Sequence, residues 1–138
     1  MRTAILTVEW SSDEPVYEQI ARQIREQVVS GALAPGAPLP PVRTLASDLG
    51  VNLNTVARAY RLLEEQGFVR IRHRSGAEVA APAPRPDGAA RDRLRGELRE
   101  VLARLRQAGV PAEEIRRIAE QEIAGLASAR DGKREGVR

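Results

Sequence analysis

Five side chains able to hydrogen-bond to nucleic-acid edges lie close together in the middle of the chain: Asn52, Asn54, Thr55, Arg58 and Arg61. An amide can pair with an adenine edge or a phosphate, and a guanidinium can fork onto guanine or grip the backbone. Asn52 and Thr55 stand where a helix would begin, and the free amide dipoles there favour a phosphate. Asn52 is equally suited to a plain helix cap. Arg61 has a second option, an i,i+4 pair with Glu65. Arg43 opens a shorter segment upstream, where it can clamp a phosphate. Downstream, His73, Arg74 and Gly76 sit at the tip of a hairpin-like stretch that can enter a minor groove or lie along the backbone. Arg70 and Arg72 alternate on the strand-like run leading to that tip, and either can face solvent alone. From 52 to 74 the chain carries five arginines and two glutamates.

Such a site needs a helix with one face anchored and the other free. Over 53–66, Val56, Ala59, Tyr60 and Leu63 share one face, with Asn54, Arg58, Arg61 and Glu65 opposite. A preceding helix over 41–49 turns Val42, Leu45, Ala46 and Leu49 inward and ends at Gly50. Upstream, Tyr17, Ile20, Ala21, Ile24 and Val28 predict a helix over 14–30. Ser12 or Asp13 would cap it, with Pro15 in its first turn. Residues 4–9 read as a short strand, and the proline-rich stretch before 41 as a rigid loop. FVRIR and AEVA read as a hairpin turning at Ser75-Gly76. The fold class is mainly α with a small β wing: a winged helix-turn-helix over 1–80.

Residues 81–90 are proline-rich and read as a linker. A helical hairpin follows over 91–128. Its stripes are Leu94, Leu98, Val101, Leu102 and Leu105, then Ile115, Ile118, Ile123 and Leu126. These stripes can pack within one chain or between two. A hairpin this small does not hold together alone. Residues 129–138 are charged, nearly devoid of apolar side chains, and read as a disordered tail.

Composition closes off other classes. The 138 residues leave no room for a large catalytic domain beside the head. Lys plus Arg number 22 against 19 Asp plus Glu, and a net charge of +3 does not by itself require a polyanionic partner. With no cysteine and a single histidine, His73, the chain offers no thiolate nucleophile, disulfide or multi-histidine metal site. It has no clustered acid pair, so no enzyme is expected, and no cofactor. No apolar run reaches a membrane span of roughly 20 residues, and no signal-peptide core is evident, so the cytoplasm is the expected location.

The segment from 12 to 80 resembles the GntR family of bacterial regulators. The resemblance rests on YEQI, on SGALAPGAPLPPVRTLASDLGV and on NTVARAYRLLEEQG, followed by a wing. The short two-helix extension is similar to the YtrA subfamily. The resemblance implies a homodimer joined through the tail helices, with two heads on a pseudopalindromic operator in double-stranded DNA. It implies DNA contacts at Arg43, Asn52, Asn54, Thr55, and the wing around His73 and Gly76. Members of this subfamily often repress their own operon, commonly one encoding an ABC transporter. A small-molecule effector of unassigned identity would act at the dimer helices or between head and tail. Three departures from the pattern stand out. Pro41 replaces a small polar residue, Leu53 replaces a proline or polar residue, and His73 to Glu78 replace the usual wing sequence. The alternative reading is a protein-interaction module that uses the same head without operator DNA.

Overall fold

The computed structural model describes residues 6–72, 76–85 and 87–135. The chain divides into two compact units, one up to Pro82 and the other from Ala83. In the first, α1 (Val16–Ser30), α2 (Val42–Leu49) and α3 (Leu53–Glu65) pack against a three-stranded antiparallel sheet. Its strands are β1 (Pro38–Leu39), β2 (Val69–Arg72) and β3 (Gly76–Val79), in the order β1-β3-β2. This is the winged helix-turn-helix read from the hydrophobic spacing.

The apolar stripes meet as their periodicity requires. Ile20, Ala21 and Ile24 of α1, Leu45 and Ala46 of α2, and Val56, Ala59, Tyr60 and Leu63 of α3 are all buried. Val69, Ala77 and Val79 close the core from the sheet side. Each large aliphatic side chain so buried contributes about 1.5–3 kcal/mol. Tyr60 brings a polar group into this core and satisfies it, donating its hydroxyl to the Pro40 carbonyl at 2.6 Å. That bond ties α3 to the loop leading into α2.

The amino-terminal segment differs from expectation. Residues 6–9 form no strand. Instead two glutamines of α1 act as the missing partner strand. Glu9 donates its N–H to Gln19 Oε1 at 2.9 Å and accepts from Gln19 Nε2 at 3.1 Å. Thr7 donates to Gln23 Oε1 at 3.0 Å and accepts from Gln23 Nε2 at 2.7 Å. Two extended residues span about 6.7 Å and four helical residues about 6 Å, so alternate arm residues match glutamines four apart. The predicted cap is also replaced. Pro15 occupies the N-cap without a side-chain bond, and Ser12 Oγ accepts from the Glu14 N–H at 3.1 Å.

The loop before α2 holds a strand that its prolines hid. Pro38 and Leu39 pair with Glu78 and Ala77 of β3. Within the hairpin Val69 faces Val79 and Ile71 faces Ala77. The exposed edge at β2 is blunted, because the Ile71 N–H donates to Glu64 Oε2 at 2.8 Å. Gly76 lies in β3, opposite Arg72, and is not a turn residue of the described chain. Its φ of 84° is one that side chains rarely adopt.

The second unit is a helical hairpin of α4 (Gly88–Gln107) and α5 (Ala112–Glu135). Asp87 caps α4 by accepting from the Ala89 N–H at 3.0 Å, so the helix starts inside the stretch read as linker. Gly109, at φ 93°, makes the turn. Ile115 is buried and Leu102, Leu105 and Ile118 are half-buried near this turn. Leu94, Leu98, Val101, Ile123 and Leu126 are exposed. α5 continues to Glu135, through most of the stretch read as disordered.

Candidate nucleic-acid interface

Everything in the candidate site hangs on the turn between α2 and α3. Gly50, at φ 67°, ends α2 in the left-handed region, and the Val51 N–H returns to the Ala46 carbonyl at 3.0 Å. Leu45 and Ala46 below, and Val56 and Ala59 above, then lock the two helices together. Asn52 starts α3. Its Oδ1 accepts from the Asn54 N–H at 2.8 Å and its carbonyl accepts from the Thr55 N–H at 3.0 Å. Capping is therefore the job the structure gives Asn52. Its side-chain NH2 remains on the exposed side.

Asn54, Arg58 and Arg61 are exposed on the face of α3 opposite its buried residues, and Thr55 is half-buried at the margin. Arg61 forms no ion pair with Glu65 or any other described residue. Arg43 is exposed in the first turn of α2, also without an ion pair among the described residues. Arg58 is held, but not neutralised: its guanidinium carbon lies 3.8 Å from the centroid of the Tyr17 ring. Tyr17 is half-buried on α1, and sequence reading counted it only as part of a packing stripe.

On the wing, Arg70 is exposed and forms no ion pair with a described residue. Arg72 is bound to Glu78 at 2.7 Å, so the acid that would repel a phosphate is neutralised by its neighbour on the next strand. That pairing also uses up Arg72. Ile71 stands partly exposed between the two arginines. Gly76 is half-buried near Pro41 and Leu39, not at an exposed tip. His73 and Arg74 lie outside the described residues. Glu64 is committed to the β2 edge, so it does not pair with the arginines of its own helix.

Arg43, Asn54, Arg58 and Arg61 are thus exposed on two locked helices, and Arg70 is exposed on the strand that follows. None of these four arginines forms an ion pair with a described residue. Among the described residues no group of three His, Asp or Glu can hold a metal ion, and no helix is long and apolar enough to cross a membrane. The exposed face of α3 was legible from its two-faced spacing. Tyr17, the Arg72–Glu78 pair and the diversion of Glu64 were not, because each joins separate elements.

Comparison with known proteins gives a consistent picture. Residues 16–79 match the family model described as bacterial regulatory proteins, gntR family. The chain is 35% identical over 79 residues to the HTH-type transcriptional repressor YtrA of Bacillus subtilis, covering 57% of this chain and 61% of that protein. The match thus spans less than two thirds of that relative's length. A solved structure described as a transcriptional antiterminator from Listeria monocytogenes EGD-e superposes with a TM-score of 0.73 at 34% identity, over 89% of this chain and 92% of that one. YtrA from Sulfolobus acidocaldarius, described as a GntR-family transcription factor, superposes with a TM-score of 0.57 at 37% identity, over 72% and 98% respectively.

Proposed function

Since the chain belongs to the GntR family of DNA-binding transcription regulators, and not to a family of enzymes, we propose that it represses transcription by occupying an operator as a homodimer. The observation that carries this is the exposed row Asn54, Arg58 and Arg61 on a helix whose other face is fully buried. In this reading α3 enters the major groove, Arg58 and Arg61 reach guanine or the backbone, and Asn54 reads an adenine edge or binds a phosphate. Arg43 clamps a phosphate, and Arg70, His73 and Arg74 of the wing contact the flanking backbone. The spare amide of Asn52 and the hydroxyl of Thr55 add backbone contacts beside the helix start.

The exposed Leu94, Leu98, Val101, Ile123 and Leu126 support a dimer through the tail helices. Apolar side chains in such a row are shielded by a second copy more readily than by water. A dimer would set two recognition helices about 34 Å apart on a pseudopalindrome. It would also make the second head's binding intramolecular, which raises operator affinity without new contacts. The name of the Bacillus relative supports repression as the output. Control of the protein's own operon, one for an ABC transporter, and action in the cytoplasm complete the proposal.

Footprinting on the DNA upstream of its own operon tests it. Protection of an inverted repeat, lost with the combined Arg43→Ala and Arg58→Ala variant, is the expected result. Unchanged protection by that variant would show that the reading face has been misassigned. Retention of salt-independent binding only to protein partners would favour an interaction module, because phosphate neutralisation gives a steep salt dependence.

A further inference from the structure

We infer that Tyr17 is a positioning residue for DNA recognition: its ring seats the Arg58 guanidinium so that the guanidinium's N–H edge faces a pair of acceptor atoms on the duplex. The inference rests on the operator-binding reading and adds to it a residue outside the helix-turn-helix.

The 3.8 Å separation between guanidinium carbon and ring centroid is a stacking distance. Stacking covers a face of the guanidinium and leaves its five donors in the plane untouched. None of those donors has a partner among the described residues. Glu18, Glu14 and Glu64 have partners other than Arg58. Glu18 accepts from the Tyr17 hydroxyl at 3.1 Å, Glu14 is paired with Arg22 at 3.0 Å, and Glu64 holds the Ile71 N–H at 2.8 Å. The charge of Arg58 is therefore oriented without being neutralised. Tyr17 can serve as a fixed seat because α1 is anchored beside it by Ile20, Ala21 and Ile24, all buried in the core shared with α3.

A free arginine on a helix surface samples many rotamers and must give them up on binding. One already lying on a ring has given up most of them when the protein folds. The acceptor pair it suits is either O6 and N7 of guanine or two oxygens of a phosphate, since both match the planar fork.

The test uses the full chain and a duplex selected by the wild-type protein from a random-sequence pool. Tyr17→Leu should weaken binding by roughly two- to thirtyfold, the range expected from a cation–π contact. Tyr17→Phe should bind like the wild type. In an Arg58→Ala background Tyr17→Leu should cost nothing further. If the acceptor is guanine, 7-deazaguanine at one position should weaken the wild type and leave Tyr17→Leu less affected. If it is phosphate, the salt slope of both Tyr17→Leu and Arg58→Ala should fall by about one. Thermal midpoints measured alongside keep a folding defect from passing as a binding effect. In the free protein, the ring-current shift on the Arg58 δ-protons should persist in Tyr17→Phe and vanish in Tyr17→Leu. Equal losses from Tyr17→Leu with and without Arg58, or an equal loss from Tyr17→Phe, overturn the inference while operator binding stands. Failure of the wild type to select any duplex overturns the operator reading itself, and this role with it.

Discussion

Arg58 and Arg43 are both exposed cations, yet the structure gives them different settings, and their variants should differ in kind. Arg58 is oriented by a ring and sits mid-helix on α3. Arg58→Ala should cost roughly 1–3 kcal/mol of specific binding and relax base preference at one operator position if its acceptor is a base. Arg43 lies in the first turn of α2, and Arg43→Ala should weaken binding almost uniformly across sequences and reduce the salt slope by about one. Titration of binding to operator and to scrambled duplex at several salt concentrations separates the two. Tyr60 makes a prediction about stability instead. Burial raises its hydroxyl pKa above the ordinary value of about 10. Below pH about 10 the phenol is neutral whether folded or unfolded, and its contribution is complete. As pH rises further the unfolded chain ionises first, so stability falls by up to roughly 1.4 kcal/mol per pH unit. Tyr60→Phe should cost about 1 kcal/mol at neutral pH, through the lost bond to Pro40, and should flatten the alkaline decline. Urea unfolding at pH 7 and pH 11 would show whether the two curves converge.

At the level of elements, the recognition helix is set by its entrance. Gly50 supplies the left-handed turn and Asn52 the cap, and both act before any packing energy is counted. A Cβ at Gly50 would meet nothing within 4 Å, so Gly50→Ala carries the conformational cost alone, about 1–2 kcal/mol. Asn52→Ala should cost about 1 kcal/mol for the lost bond to the Asn54 N–H. Thermal unfolding checks both, and a larger loss at Gly50 than this range would mean that the turn, not only its φ, had moved. The amino-terminal arm is a second element-level device. Gln19 is almost fully buried, yet its amide meets the Glu9 backbone and donates to the Glu14 carbonyl at 2.9 Å. Two glutamines one turn apart thus hold an extended segment without a sheet.

For the whole molecule, the decisive question is what covers the tail helices. Among the described side chains, Leu102, Leu105, Ile115 and Ile118 near Gly109 are packed, while Leu94, Leu98, Val101, Ile123 and Leu126 lie open. A charge placed in that row should disfavour any apolar association. Leu98→Glu should halve the mass seen by sedimentation equilibrium and lower operator affinity by a hundredfold or more, on the order of the avidity lost when two heads are uncoupled. An unchanged mass with Leu98→Glu, or a wild-type monomer at micromolar concentration, would remove the dimer from the proposal.

The three head helices, the cap at Asn52, the stop at Gly50 and the two-faced character of α3 were all determined by the sequence. Each is a local matter of spacing, propensity and backbone preference within a few residues. The pairing of Pro38–Leu39 with β3, the docking of residues 6–9 on Gln19 and Gln23, and the seat of Arg58 on Tyr17 were decided only in the tertiary structure. So were the Arg72–Glu78 and Glu64–Ile71 contacts, which engage three charged side chains beside the candidate interface. Hydrophobic periodicity says which face of a segment turns inward. Which polar groups then become neighbours depends on how far apart in the chain the packed elements lie, and no local pattern records that.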